Sequence, residues 1–180
     1  MIKGKIVGLR AVEKEDLNLL RDWRNIAHFR KHFREHRELN MFNQENWFQK
    51  VSANPNDFMF IIVRLSDNKP LGACGLLYTN WVIRSTDYSF YIGDDEAYID
   101  DQGYSEEASH LLIDYGFNQL NLNKIWMELY EFDLSKIHFF TNKFNFHKDG
   151  ILRQNCFADG KYHDSIVISL LKNEYKPILL

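Results

Sequence analysis

Tyr88-Ser89-Phe90-Tyr91-Ile92, then an acidic loop, then Asp100-Asp101-Gln102-Gly103-Tyr104-Ser105-Glu106-Glu107-Ala108 is the stretch that decides how this chain is read. The first five residues suit a strand, rich in aromatic and β-branched side chains. After Gly103 an amphipathic helix begins, with Ala108, Leu111, Leu112 and Tyr115 as its apolar stripe at i, i+3, i+4 and i+7. Glycine beside small and polar residues at a helix entry leaves backbone N–H groups unobstructed. Together with the helix dipole they suit a phosphate or pyrophosphate.

Working outward, Lys124 to Tyr130 reads as a second strand and Leu134 to about Phe144 as a short helix. Ile151 to Phe157 and Tyr162 to Leu171 form a hairpin turning at Asp159-Gly160. Upstream, Lys5 to Leu9 reads as the first strand and Glu13 to Arg24 as a helix. Gln44 to about Val51 is a helix capped by Asn43. Phe58 to Leu65 and Leu71 to Trp81 make a hairpin, and Ser85 to Ile92 pairs with its second arm. The fold class expected is α/β (α+β): a mixed, mostly antiparallel sheet of about seven strands with helices on both faces.

A chain of 180 residues, 45% hydrophobic and 15% aromatic, suits one packed domain spanning 1–180. No apolar run approaches the ~20 residues of a membrane span, and the N-terminus lacks a signal-peptide core. Two cysteines, Cys74 and Cys156, make no disulfide framework, so a cytoplasmic setting is expected. A net charge of −3 argues against a generally basic nucleic-acid binder.

Strand, phosphate-loop helix, strand, helix, hairpin: this order, on these residues, resembles the GCN5-related N-acetyltransferase (GNAT) superfamily. The likeness is greatest to its ribosomal-protein and amino-sugar acetyltransferase branch. It extends to Gly8-Leu9-Arg10-Ala11-Val12, Asp22-Trp23-Arg24-Asn25, Glu45-Asn46-Trp47-Phe48 and Asp159-Gly160-Lys161-Tyr162-His163-Asp164, so it covers nearly the whole chain. The resemblance implies an N-acetyltransferase that moves an acetyl group from acetyl-CoA to a primary amine by direct transfer in a ternary complex. Acetyl-CoA is then a co-substrate, lying where the fourth strand (Ser85–Ile92) and the fifth (Lys124–Tyr130) splay apart. Its pantetheine arm is expected on Phe90, Tyr91 and Ile92, and its pyrophosphate on the N–H groups of Gln102, Gly103, Tyr104 and Ser105. Where the family opens its next helix with asparagine this chain has Leu134, and Asp133 takes over as cap and cofactor contact.

The family's first loop position, usually Gln or Arg, is Asp100 here, and its last is Ser105. The family's acidic tyrosine, five positions before Phe146, falls on Thr141. A thiol of pKa roughly 8.5 can leave as thiolate with little help. An ammonium acceptor of pKa roughly 10 must first lose a proton, and a carboxylate can take it. Asp87 is the candidate base, the rival reading being an ion pair with an arginine such as Arg84. Tyr130 is the candidate acid, the rival being a packed aromatic.

From Arg21 to Arg37 the chain carries Arg21, Arg24, Arg30, Lys31, Arg34 and Arg37 against Asp22 and Glu35. Arg24, Asn25, Arg30 and Arg34 are the expected acceptor contacts, because the family walls its acceptor pocket with this region. Arginine forks suit phosphate or carboxylate, which points to an amino sugar or nucleotide-linked amino sugar; a solvated basic face is the alternative. His28, His32 and His36 have helical spacing, but no carboxylate or cysteine joins them as a ligand, so no metal is expected. The expected partner is a small-molecule amine, with a homodimer left open and neither nucleic acid nor membrane. Two other functions stay in view: a protein (ribosomal-protein-type) N-acetyltransferase, and a non-catalytic acyl-CoA-binding sensor.

Overall fold

The computed structural model describes residues 1–177. Its sheet has eight strands in the order β1-β2-β3-β4-β5-β6-β8-β7. They are β1 (Ile2–Lys3), β2 (Val7–Ala11), β3 (Phe58–Arg64), β4 (Pro70–Asn80), β5 (Ser85–Ile92), β6 (Lys124–Tyr130), β7 (His147–Ala158) and β8 (Lys161–Leu171). The strand beyond the expected seven is β1, two residues paired antiparallel with β2. The strands called fourth and fifth above are therefore β5 and β6.

Every neighbouring pair is antiparallel except β5 and β6, which run parallel. A parallel pair needs a crossover, and here it is α4 (Tyr104–Asp114), which continues into a π-helical turn, Tyr115–Gln119. The hairpin of β7 and β8 closes on Asp159 and Gly160, at φ +50° and +79°. Two central residues at positive φ are what a tight type I′ turn demands, and Asp-Gly supplies them at low cost.

Alternation along the strands divides the interior into two layers. Ile62, Cys74, Phe90, Ile125 and Met127 pack with Leu112 of α4 and Phe140 of α5 (Leu134–Phe144). Ile61, Val63, Ala73 and Tyr91 face the other way, against Leu17, Leu20 and Trp23 of α1 (Leu17–Asn25). Helices thus cover both faces, as the period-2 pattern of a doubly covered sheet requires.

The N-terminal helices differ in detail from expectation. The segment read as one helix from Glu13 is a 3-10 turn, Lys14–Asp16, followed by α1. Asp16 receives two hydrogen bonds from Arg10, at 2.7 and 2.6 Å, which hold that turn against β2. Beyond α1, α2 (Ala27–Arg30) is one turn long, so His28, His32 and His36 share no helix face. The helix α3 (Met41–Ala53) starts earlier than expected, with Asn40 as its cap. The side chains of Asn40 and Asn43 accept from each other's backbone N–H at 3.0 and 3.2 Å, which makes Asn43 the return partner.

Candidate functional site

Only three rungs join β5 to β6: Ser85 with Lys124, Thr86 with Ile125, and Asp87 with Trp126. Beyond Asp87 the two strands part, each held by its outer neighbour, β4 on one side and β8 on the other. The result is a wedge-shaped gap in the sheet. The Gly93 N–H bonds Leu71 O across β4 at 2.9 Å, so Ile92 faces the gap; by alternation Phe90 and Tyr88 do too. Tyr88 and Phe90 line a cavity of about 260 Å³ between the strands. A second cavity, about 500 Å³, lies between the sheet and α1 and α3, and Arg24, Glu35, Trp47, Leu77 and Ser89 border both.

The gap closes again at its far end. The Ile92 N–H and C=O exchange hydrogen bonds with Tyr98, at 3.0 and 2.9 Å. Ile92 therefore offers no free backbone there, and Tyr91 points its own toward β4. Of the three residues expected along the pantetheine arm, only Phe90 presents free groups to the gap, and Tyr88 joins it.

Around Tyr98 is a buried polar cluster. Its hydroxyl donates to Asp133 Oδ2 at 2.6 Å and accepts from Lys136 Nζ at 2.9 Å. His32 stacks on its ring with centroids 4.9 Å apart. Burial lowers the Lys136 ammonium to about 8 and also lowers the His32 imidazole. Asp133 does cap α5, accepting from the Lys136 N–H at 3.3 Å. It is 2% exposed with its second oxygen bound to Tyr98, so it does not open onto a cofactor as expected.

The turn before α4 holds an anion already, one of its own. The Asp100 carboxylate accepts from the backbone N–H of Gln102, Tyr104 and Ser105 at 2.8, 3.0 and 2.6 Å. Three of the four groups expected to meet a pyrophosphate are thus engaged; the fourth belongs to Gly103, whose φ of +90° makes the turn. The other acidic residues turn away. Glu107 accepts from the N–H groups of Lys5, Ile6 and Val7, and Glu106 pairs with Lys143 at 2.5 Å.

Where β5 and β6 separate, two carboxylates share one guanidinium. Arg34 donates to Asp87 Oδ2 at 2.6 Å and lies 3.6 Å from Glu128 Oε2. The partner of Asp87 is Arg34, not Arg84. Burial pushes the Asp87 carboxyl above its ordinary range, and Arg34 only partly offsets this. Glu128 also accepts from Asn155 at 2.6 Å. Tyr130 lies outside both cavities, packed on Phe132 with its hydroxyl raised by burial, so it is badly placed as an acid. Thr141 donates its hydroxyl to Ile137 O at 2.8 Å.

The expected acceptor contacts separate into two groups. Arg24 and Arg34 border the cavities. Asn25 is bonded both ways with the Leu39 backbone at 2.8 Å, and Arg30 pairs with Glu38 on the surface, so neither reaches the site. Sequence reading missed Glu35, Tyr98, Glu128 and Lys136 as site residues. Glu128 carried a signal: it alternates with Met127 and Leu129 on β6 and so must face the Asp87 side.

The pattern of the acetyltransferase (GNAT) domain family matches residues 7–145. The chain belongs to the GNAT acetyltransferase family. It is accordingly an N-acetyltransferase with acetyl-CoA as co-substrate. Among curated GNAT relatives, the spermidine N(1)-acetyltransferase of Escherichia coli K12 is 24% identical, over 94% of this chain and 88% of that one. The probable N-acetyltransferase YjcK of Bacillus subtilis is 27% identical, over 95% and 97%. Among solved structures, the spermidine N-acetyltransferase of Vibrio cholerae, in complex with CoA and spermine, superposes with a TM-score of 0.86. It is 21% identical and covers 96% of this chain and 99% of that one. At that identity the superposition establishes the fold.

Proposed function

We propose that this GNAT chain, as a single domain spanning 1–180, acetylates a primary amine on a small molecule, with an amino sugar or nucleotide-linked amino sugar as acceptor. The observation that carries this reading is the gap beyond Asp87, where the unpaired backbone of Phe90 and the Tyr88 carbonyl stand next to the Asp87–Glu128 pair. An amide-bearing arm can add to such an edge as a peptide adds to a sheet. The residues fit the acyl end of acetyl-CoA; its diphosphate end needs the α4 amides that Asp100 holds.

The chain's own groups then account for the chemistry. Glu128, held more loosely than Asp87, takes the proton of the attacking ammonium. Arg34, between the two carboxylates, offsets part of their mutual repulsion. As the C–N bond forms and the C–S bond breaks, a backbone N–H of the free β5 edge steadies the carbonyl oxygen. The sulfur departs as thiolate, since Thr141 is no acid.

A cavity of about 500 Å³ has the volume of a small-molecule site; a protein N-terminus is the less suited acceptor. Spermidine is the substrate in the names of several relatives, but here Arg24, Arg37 and Lys50 against Glu35 make the cavity wall cationic. Thiol release from acetyl-CoA, followed with a panel of amines, tests the reading. Release with an amino sugar supports it. Tight acetyl-CoA binding with no release for any amine would favour the sensor reading, which Thr141 and Asp100 support. With both cysteines free, the chain fits a reducing cytoplasm. A multi-copy assembly, the homodimer or something larger, also belongs to the proposal, since the Vibrio cholerae enzyme has been seen as a dodecamer.

A further inference from the structure

Arg24 stands apart from the other arginines of the two cavities. Arg34 is paired with Asp87 and Arg37 with Glu35, both at 2.6 Å. Arg24 has no ion pair and donates no hydrogen bond among the described residues, although it borders both cavities. Its guanidinium carbon lies 3.9 Å above the centre of the Phe33 ring. That contact holds the guanidinium against the ring, and its N–H groups make no hydrogen bond among the described residues. Glu35, the carboxylate whose charge acts on Arg24, is engaged twice by the Arg37 side chain, at 2.8 and 2.6 Å, and so cannot serve Arg24 well.

Arg24 is half-buried, and its N–H groups open into the cavities, where only solvent or a bound ligand can satisfy them. Its planar fork matches a carboxylate or phosphate. On the other side of the shared wall, Asp87 and Glu128 flank Arg34, while Lys136, which also borders that cavity, gives its ammonium to the Tyr98 hydroxyl beside Asp133. One end of the joined space therefore favours an ammonium and the other an anion.

We propose that the acceptor is a zwitterion, a primary amine that also carries a carboxylate or phosphate, and that Arg24 is the residue that binds its anionic group. This deepens the transferase reading and rests on it. Arg24 sets specificity and acts on binding, not on the chemical step. A polycation such as spermidine would bring a second positive charge against Arg24 and Lys50, so it is a poor acceptor.

The test compares three amino sugars, glucosamine, glucosamine 6-phosphate and muramic acid, with spermidine as the polycation. Thiol release is measured for the full chain, for Arg24→Met and for Arg24→Lys. The wild type is expected to favour at least one of the two anionic sugars over glucosamine by roughly tenfold or more in kcat/KM. Arg24→Met should raise KM for that sugar by about the same factor and by several-fold less for glucosamine, with the loss in KM rather than kcat; Arg24→Lys should recover part of it. Which anionic sugar responds separates phosphate from carboxylate. A thermal shift by the same sugars without acetyl-CoA, lost in Arg24→Met, reads binding independently of turnover and reports whether the variant folds. Spermidine outperforming both anionic sugars, or an equal loss for all acceptors in Arg24→Met, would overturn the inference and leave the transferase standing. No thiol release with any amine would bring down both.

Discussion

Arg34 and Asp87, 53 positions apart in sequence, meet at 2.6 Å at the point where β5 and β6 separate. The same guanidinium lies 3.6 Å from Glu128 and so bridges the two carboxylates. The tightly bound member is the poorer base, since its lone pairs are committed. Glu128→Gln should lower kcat by roughly 10² to 10³, within the usual range for a removed general base, and should flatten the acidic limb of the pH profile. Asp87→Asn should cost less, mainly by releasing Arg34. A larger loss in Asp87→Asn than in Glu128→Gln would return the base to Asp87.

Asp100 competes with any anion brought to the start of α4. Its carboxylate takes three backbone N–H groups there, and Ser105 Oγ accepts from the Asp100 N–H at 3.1 Å. The segment that delivers it is strained, with Asp95, Glu96 and Tyr98 at φ +51°, +51° and +60°. Asp100→Asn should therefore bind CoA more tightly, by roughly tenfold in Kd or about 1.4 kcal/mol, while pantetheine affinity stays unchanged. Calorimetric titration with both compounds decides it. An unchanged or weaker CoA affinity would mean that Asp100 is only a cap.

How far the sequence was legible depends on how local each interaction is. The Asp159-Gly160 turn and the Asp133 cap of α5 involve neighbours within three residues, so short patterns announce them. The alternation in Ile61, Ile62 and Val63 assigns each side chain to a layer without further information. The gap between β5 and β6 was legible because a parallel pair with a helical crossover is a family-level pattern. The filling of that gap was not. Tyr98 reaches Ile92 through a loop with three left-handed residues, and no propensity foretells that path. Arg34 finds Asp87 only after the whole β3–β5 sheet is assembled. Lys136 was hidden for another reason. A lysine in the first turn of an amphipathic helix reads as solvated, and its burial is set by Tyr98 and Asp133 together.

Glu107 ties the N-terminal turn to α4. It accepts from Lys5, Ile6 and Val7 N–H at 2.7, 2.8 and 2.7 Å and is only 8% exposed. A buried carboxylate with three backbone donors cannot be replaced by an amide without turning an NH2 toward an N–H. Glu107→Gln should cost about 2–3 kcal/mol, seen as a melting temperature lower by roughly 5–10 °C. Gly4→Ala should do similar damage, because a Cβ at Gly4 would sit 2.6 Å from the Glu107 carboxyl carbon. A melting temperature unmoved by both changes would remove this tie from the fold.

Lys136 gives the protein a distinctive alkaline stability curve. Burial lowers its ammonium from 10.5 to about 8 in the folded state, whereas the unfolded chain keeps the ordinary value. Between those two pH values the unfolded state binds more protons, so stability rises with pH across that window and is flat in this respect below it. The rise amounts to about 1.4 kcal/mol for each pH unit crossed. Buried tyrosines such as Tyr88 and Tyr98, whose hydroxyls must stay protonated in the fold, set the opposite slope at still higher pH. Buried thiols such as Cys74 lower stability as pH rises past about 9, so the urea midpoint of the wild type relative to that of Lys136→Met should climb between pH 8 and 9.5. Parallel curves for the two proteins would show that Lys136 keeps an ordinary ammonium in the fold.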